Sequence, residues 1–158
     1  MKRLFYFDNF ASDRWLALSE LERFFLAPKG QEWSFAGGND SWGMDVQGLC
    51  GTDGLPSEEQ ANVHFYMTGN RVLEPIYNTL NGTVASKHKQ TYNFKGDLSR
   101  FGDFVRSLHG TPLSVGLFVP FPIAWKAVKE FIETDGELPT GIEWIASSDL
   151  PPETFPDP

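Results

Sequence analysis

Histidine and cysteine supply much of the catalytic and metal-binding chemistry of proteins, and this chain has few of them. His64, His88 and His109 form no HxH, HxxxH or HExxH pair. Because Cys50 is the single cysteine, the chain has neither a zinc-ligand spacing nor an internal disulfide. No local sequence typical of a catalytic thiolate surrounds Cys50, so we expect it to be a small, buried side chain.

Three carboxylates, Asp40, Asp45 and Asp53, occur in a glycine-rich region, residues 37–54. Asp40 and Asp45 lie in GGNDSWGMD, but a calcium loop starting at Asp40 would need Glu where the chain has Gly51. The glycines form neither GxGxxG nor GxxxxGK, the patterns that cradle phosphate. We therefore predict no metal, no cofactor and no catalytic residue. The alternative is an enzyme or small-ligand-binding protein that uses this region, with Asp40, Asp45 and His64 close together.

Short alternating apolar segments predict the strands that would position these side chains. The clearest is NVHFYMT, residues 62–68, in which successive side chains point to opposite faces. Asn81-Gly82 is a signal for a tight type I′ hairpin turn. Further strands are predicted over residues 32–36, 42–46, 71–78, 84–94, 113–119 and 142–146.

Apolar stripes at helical spacing predict three helices. They cover residues 13–26 after an N-cap at Ser12, residues 98–108 after a cap at Asp97, and a segment from Pro122 that ends before Gly136. The strands form a block between helices, which favours an α+β fold with a mainly antiparallel sheet, an N-terminal helix and two helices in the second half.

Length and composition are typical of one small globular domain. The chain has 158 residues, of which 41% are hydrophobic and 15% aromatic. We expect a single α+β domain over residues 1–150 and a proline-rich acidic tail over residues 151–158. Since we read no signal peptide and no membrane-spanning run, we expect a cytoplasmic protein.

The net charge of −8 is unevenly distributed. Residues 30–70 contain six acidic and no basic side chains, and residues 130–158 contain eight acidic and no basic side chains. This excess argues against nucleic acid or an anionic membrane as the partner. It is either a solvated surface that maintains solubility or an acidic face that steers the molecule to a basic protein.

An acidic docking face would use side chains of the 30–70 block. Trp42 stands in a polar, glycine-rich setting, where it either caps the sheet edge or is an aromatic anchor of an interface. The candidate partner-binding residues are Asp40, Trp42, Asp45, Asp53, Glu58 and Glu59.

The second half of the chain resembles a known family. Ala124, Ala127, Glu130 and Phe131 fit a helix of the form A-x-x-A-x-x-E-F, which leads through a turn containing Pro139 to a strand of the form I-x-W, here Ile142 and Trp144. With this pattern the chain resembles the bacterial polymorphic-toxin immunity proteins of the Imm family numbered one, mainly over residues 90–158.

The resemblance implies a cytoplasmic protein that binds a cognate toxin domain and blocks its active site. It carries over no catalytic residues, because the family presents no catalytic motif. We expect a monomer or small homo-oligomer that acts by binding. A scaffold or regulatory domain that binds its own copy is a further possibility, which the molecular mass in solution would address.

Overall fold

A computed structural model describes residues 1–7, 10–26, 41–69, 79–86, 90–107 and 109–156 of the chain. The strands predicted over residues 32–36 and 71–78, and the candidate Asp40, lie outside these ranges.

Most described strands belong to one antiparallel sheet. Its strands are β1 (Lys2–Phe7), β2 (Phe10–Ser12), β3 (Ser41–Leu49), β4 (Ala61–Thr68), β5 (Thr79–Ser86), β6 (Tyr92–Phe94), β9 (Phe118–Pro120) and β10 (Trp144–Ala146). A separate two-stranded sheet joins β7 (Phe104–Arg106) to β8 (Pro112–Ser114), and the two α-helices are α1 (Leu18–Phe25) and α2 (Phe121–Glu133). The strand order in the main sheet is β10-β6-β5-β4-β3-β1-β2, and β9 pairs with the first residues of β5.

The core lies between one face of this sheet and the two helices. Alternation along β3 and β4 turns Trp42, Met44 and Phe65 inward, where they join Phe25 of α1 and Phe131 of α2. Burial of each large apolar side chain contributes about 1.5–3 kcal/mol. The other face of the sheet carries the alternate residues of the same strands.

The expected fold class is confirmed as α+β with a mostly antiparallel sheet, but the expected helix placement is only partly correct. The first helix begins at Leu18 rather than residue 13, because Ser12 is the end of β2 and pairs with Phe5. The Ser12 hydroxyl accepts a hydrogen bond from the Arg14 backbone N–H, and so it forms a local turn instead of a helix cap.

The helix predicted over residues 98–108 is wrong. Asp97 does cap a turn there, but the turn is a 3-10 helix of three residues, and Phe104–Arg106 then forms a strand. Val105 lies opposite Leu113 in the small sheet and packs with it against Val115 and Phe118. Pairing with a strand that is distant in sequence therefore determines the conformation here. The apolar spacing favours a helix, but Gly102 lowers the helix propensity of the segment.

The turn predicted at Asn81-Gly82 is also wrong, because both residues lie within β5. Gly82 pairs with Met67 of β4, and the Phe94 ring covers it so closely that a Cβ atom would stand 2.3 Å from Cε2 of that ring. The glycine therefore provides space for an aromatic ring.

Other strand predictions are confirmed with changed bounds. The 62–68 strand is Ala61–Thr68, the 42–46 strand extends to Ser41–Leu49, and the 142–146 strand is shortened to Trp144–Ala146. Two predicted strands are each divided. Of residues 84–94, the first three belong to β5 and the last three to β6, whereas residues 87–89 lie outside the described ranges. Residues 113–119 belong to β8 and β9, with a 3-10 turn at Val115–Leu117 between them.

Candidate functional site

An Asp–His pair lies on the sheet face opposite the helices. Asp45 of β3 and His64 of β4 are direct cross-strand neighbours, and Nδ1 of His64 is 2.7 Å from Oδ1 of Asp45. With the carboxylate as acceptor, Nδ1–H of His64 is the donor. Asp45 is only 5% exposed, although it lies on the outer face of the sheet. A buried carboxylate is stable there because His64 supplies its hydrogen bond.

Two exposed tyrosines stand one pleat away, on either side of a glycine. Tyr6 of β1, Gly43 of β3 and Tyr66 of β4 form one cross-strand row. A Cβ atom at Gly43 would lie 3.1 Å from Cε1 of Tyr66 and 3.5 Å from Cδ2 of Tyr6, so the glycine allows both rings to lean over β3. We call Tyr6, Gly43, Tyr66, Asp45 and His64 the tyrosine strip.

The tyrosine strip presents two exposed aromatic rings, with the Asp45 carboxylate in the next cross-strand row. Tyr6 is 40% exposed and Tyr66 50% exposed, and the Tyr66 ring stacks on His64 with centroids 5.7 Å apart. The pKa of each tyrosine hydroxyl is raised, first because partial burial disfavours the phenolate and then because Asp45 carries a negative charge nearby.

The pair Asp45–His64 has the geometry that orients a histidine for proton transfer, but a catalytic triad needs a third member. Among the described residues, no hydroxyl or thiol hydrogen-bonds to the imidazole of His64. Those residues also contain no group of three or more His, Cys, Asp or Glu side chains that could hold a metal ion.

The remaining predicted site residues fall in two different places. Trp42 is 2% exposed and packs against Phe5 and Phe25 in the core, so the prediction of a surface anchor at this position is wrong. Its position in β3 turns it inward, opposite to Gly43. Asp53, Glu58 and Glu59 are exposed on the connection between β3 and β4.

Asp53 has a partner at the start of the chain. Its carboxylate lies 2.8 Å from the Met1 N-terminal ammonium group, which lowers the pKa of Asp53 by hydrogen bonding and by charge. Both groups are well exposed, so this ion pair contributes little to stability. We call Asp53, Glu58 and Glu59 the acidic turn.

A cavity of about 170 Å³ opens on the helix side of the sheet, beside the turn that follows α2. Cys50 lies at its edge in a left-handed conformation with φ of 56° and is exposed, contrary to the expectation of a buried thiol. The cavity is lined by Leu49, Cys50, Val63, Val84, Ser86, Gln90, Tyr92, Gly136, Glu137 and Leu138. Its lining combines apolar side chains with a few polar ones, which suits a small organic group.

The residues of the A-x-x-A-x-x-E-F and I-x-W patterns have internal roles. Ala124 and Ala127 are fully buried on the face of α2 that packs against the core. Both oxygens of Glu130 accept backbone N–H groups, from Thr140 at 2.7 Å and Gly141 at 2.9 Å. Indole N–H of Trp144 donates to the Pro139 carbonyl at 2.7 Å. The hydrogen bonds of Glu130 and Trp144 therefore connect α2 to the turn that leads to β10.

Several acids of the 130–158 block are also committed within the fold. Asp135 accepts two hydrogen bonds from Arg3 at 2.6 and 2.8 Å, and Glu143 lies 3.5 Å from Lys95. Together with Glu130, these acids are paired within the molecule, although Glu143 is 81% exposed and remains on the surface. Glu137 and Glu153 of the same block are exposed.

Part of the chain is similar to a known protein family. Residues 76–146 match the family described as immunity protein Imm1. The match confirms the resemblance over residues 90–146 and also extends it back to residue 76, into a part where the sequence patterns gave no likeness. No match was found among curated proteins or among solved structures.

The Imm1 segment, residues 76–146, contains α2 and all strands from β5 to β10. The tyrosine strip and the acidic turn both lie outside it, on β1, β3, β4 and their connections. In the part of the chain that the structure describes, no helix is long and apolar enough to span a bilayer.

Proposed function

We propose that this protein is an immunity protein that binds a cognate bacterial toxin domain and blocks its active site, without catalysis of its own. The observation that supports this is the match of residues 76–146 to the Imm1 family. On this proposal the protein acts in the cytoplasm of the toxin-producing cell, as a monomer or small homo-oligomer.

Charge supports the same proposal. The net charge of −8 favours a basic partner, and complementary charge accelerates encounter more than it raises affinity. The acidic turn is the exposed part of the 30–70 acidic block that the structure describes, so we propose that Asp53, Glu58 and Glu59 face the toxin. Asp40 remains a candidate of the same kind, whereas Asp45 contributes from beneath the surface.

The test uses the reading frame next to this gene, if it encodes a large secreted protein with a variable C-terminal domain. That C-terminal domain is expressed alone and together with this chain. We expect toxicity when the domain is alone, rescue on co-expression, and a stable complex on size exclusion. A toxic neighbouring domain that is neither bound nor neutralised would contradict the proposal.

The cavity beside Cys50 favours one alternative, a small-ligand-binding protein that uses the end of the glycine-rich region. Cys50 is the single cysteine and lies at the cavity mouth, so a thiol-reactive fluorophore can be placed there selectively. A metabolite that changes the fluorescence and raises the melting temperature of unlabelled protein would support this alternative. Turnover of such a metabolite would contradict the immunity proposal.

A further inference from the structure

Partner recognition needs exposed side chains that are not already used in contacts within the fold. The pattern residues of the Imm1 segment are buried in the core or hydrogen-bonded within the molecule, as shown for Ala124, Ala127 and Glu130. The tyrosine strip lies outside that segment, on strands β1, β3 and β4. A surface that selects one partner is expected in such a region, because related proteins can share a scaffold and differ in what they bind.

The chemistry of the tyrosine strip favours a cation. The faces of tyrosine rings carry negative electrostatic potential, and Tyr6 and Tyr66 present their rings on both sides of Gly43. Asp45 adds a carboxylate that is hydrogen-bonded to His64 and nearly closed to water, where screening by salt is weak. Lys2, the cation on the same face of β1, is separated from the tyrosine row by the Leu4–Asp45 row.

Among cations, arginine fits this surface better than lysine. Its guanidinium group is planar and weakly hydrated, so it stacks on aromatic rings with a smaller loss of hydration. Tyrosine and arginine are also enriched among the residues that dominate protein interfaces.

We propose that the tyrosine strip is the docking site for an arginine side chain of the partner protein, stacked on Tyr6 and Tyr66 next to the row that contains the Asp45 carboxylate. This inference rests on the proposed function for the identity of the partner, the toxin domain. It assigns the main contact to the sheet face, whereas the acidic turn contributes to the rate of encounter.

The first experiment measures affinity for the toxin domain by calorimetry. We expect Tyr66→Ala and Tyr6→Ala each to weaken binding about tenfold, and Tyr66→Phe to restore it because the ring is retained. Phe155→Ala is the matched control, since Phe155 is 54% exposed and is distant in sequence from the strip strands. Unchanged affinity of Tyr66→Ala would overturn the inference and leave the proposed function intact.

Asp45→Asn tests the buried charge. It keeps the size of the side chain, and we expect weaker toxin binding together with lower tyrosine pKa values in an absorbance titration. If Asp45→Asn does not fold, the two exposed tyrosine variants still decide the question.

The second experiment requires no toxin. The wild-type chain is titrated with a short peptide that contains one arginine, and with the same peptide in which uncharged citrulline replaces it, while the tyrosine ring resonances are followed by NMR. We expect the ring resonances of Tyr6 and Tyr66 to shift with the arginine peptide and not with the citrulline peptide. Equal shifts with the two peptides, or no shifts, would overturn the inference. This result does not depend on the toxin domain, so it is distinguishable from a failure of the proposed function.

Discussion

Thr140 donates its backbone N–H to Oε1 of Glu130 across 2.7 Å, and its hydroxyl donates to the same oxygen at 2.8 Å. Glu130 lies near the end of α2, and Thr140 lies in the turn that leads to β10. One carboxylate therefore fixes the path of the chain between the two elements of the family pattern. These hydrogen bonds lower the pKa of Glu130.

Replacement of Glu130 by Gln is expected to lower the free energy of unfolding by about 1 kcal/mol. The amide has one acceptor oxygen where the carboxylate has two, so one backbone N–H of Thr140 or Gly141 loses its acceptor and the hydrogen bond that remains is neutral. The measurement is urea denaturation at neutral pH. Glu133→Gln is the control, since Glu133 is on the same helix and makes only a 4.0 Å ion pair with Lys129. Equal effects of the two variants would contradict a special role of Glu130.

The same contact has a predicted pH dependence. A lowered pKa in the folded state means that Glu130 stabilises the fold fully above its ordinary pKa of 4.5, and that this contribution is lost as the pH falls through the folded value. We therefore expect the stability difference between wild type and Glu130→Gln to shrink on acidification below that range. A difference that grows there would contradict the prediction.

Gly82→Ala is expected to destabilise the protein by about 1–3 kcal/mol, because the new methyl group would collide with the Phe94 ring. Gly102→Ala is the matched control, since a Cβ atom at Gly102 would meet nothing within 4 Å. Thermal unfolding of both variants measures the difference. If Gly82→Ala is as stable as the control, the fold does not depend on the close approach of the Phe94 ring to residue 82.

Asp135 combines an ion pair with a left-handed backbone conformation at φ of 53°. Asp135→Asn removes the charge next to Arg3 but tolerates this backbone, so we expect a loss of about 0.5–1 kcal/mol at this exposed pair. Asp135→Ala is expected to cost more, because alanine is also strained at positive φ. Denaturation of both variants tests the order, and equal losses would show that the backbone contributes nothing.

Trp42 and Tyr66 are expected to differ sharply when each is changed to Ala. Trp42→Ala should cost about 3–5 kcal/mol of stability, because it empties a site between Phe5 and Phe25 in the core. Tyr66→Ala should cost much less, since half of that side chain is exposed. Denaturation measures both, and a stable, fully folded Trp42→Ala protein would contradict the core position.

If the acidic turn steers association, the association rate with the toxin domain should fall as salt is added. Glu58→Gln combined with Glu59→Gln should lower the rate and flatten its salt dependence, while the dissociation rate changes little. Stopped-flow mixing over a range of ionic strengths measures both. A rate indifferent to salt would remove the steering role.

The spacing of apolar residues along the chain was sufficient to predict much of the scaffold. The apolar stripe from Ile123 to Ile132 specified α2, and alternation in NVHFYMT specified β4, because each element buries one face and its period is visible in the chain. The family-like pattern in α2 and β10 was visible for a similar reason, since its residues meet across a short turn.

Local pattern failed where a distant partner decides the conformation. Phe104 to Arg106 form a strand because Pro112 to Ser114 offer an edge, and Gly82 stays in a strand because Phe94 needs the space. Neither relationship leaves a trace in the spacing of neighbouring residues.

The sequence by itself determined the fold class, the acidic character and the elements that meet through short turns. Only the tertiary structure decided that Trp42 is internal, that Asp45 meets His64 and that two tyrosines flank Gly43. Those facts depend on the register between strands distant in sequence, and a shift of one residue in that register would exchange the two faces of the sheet.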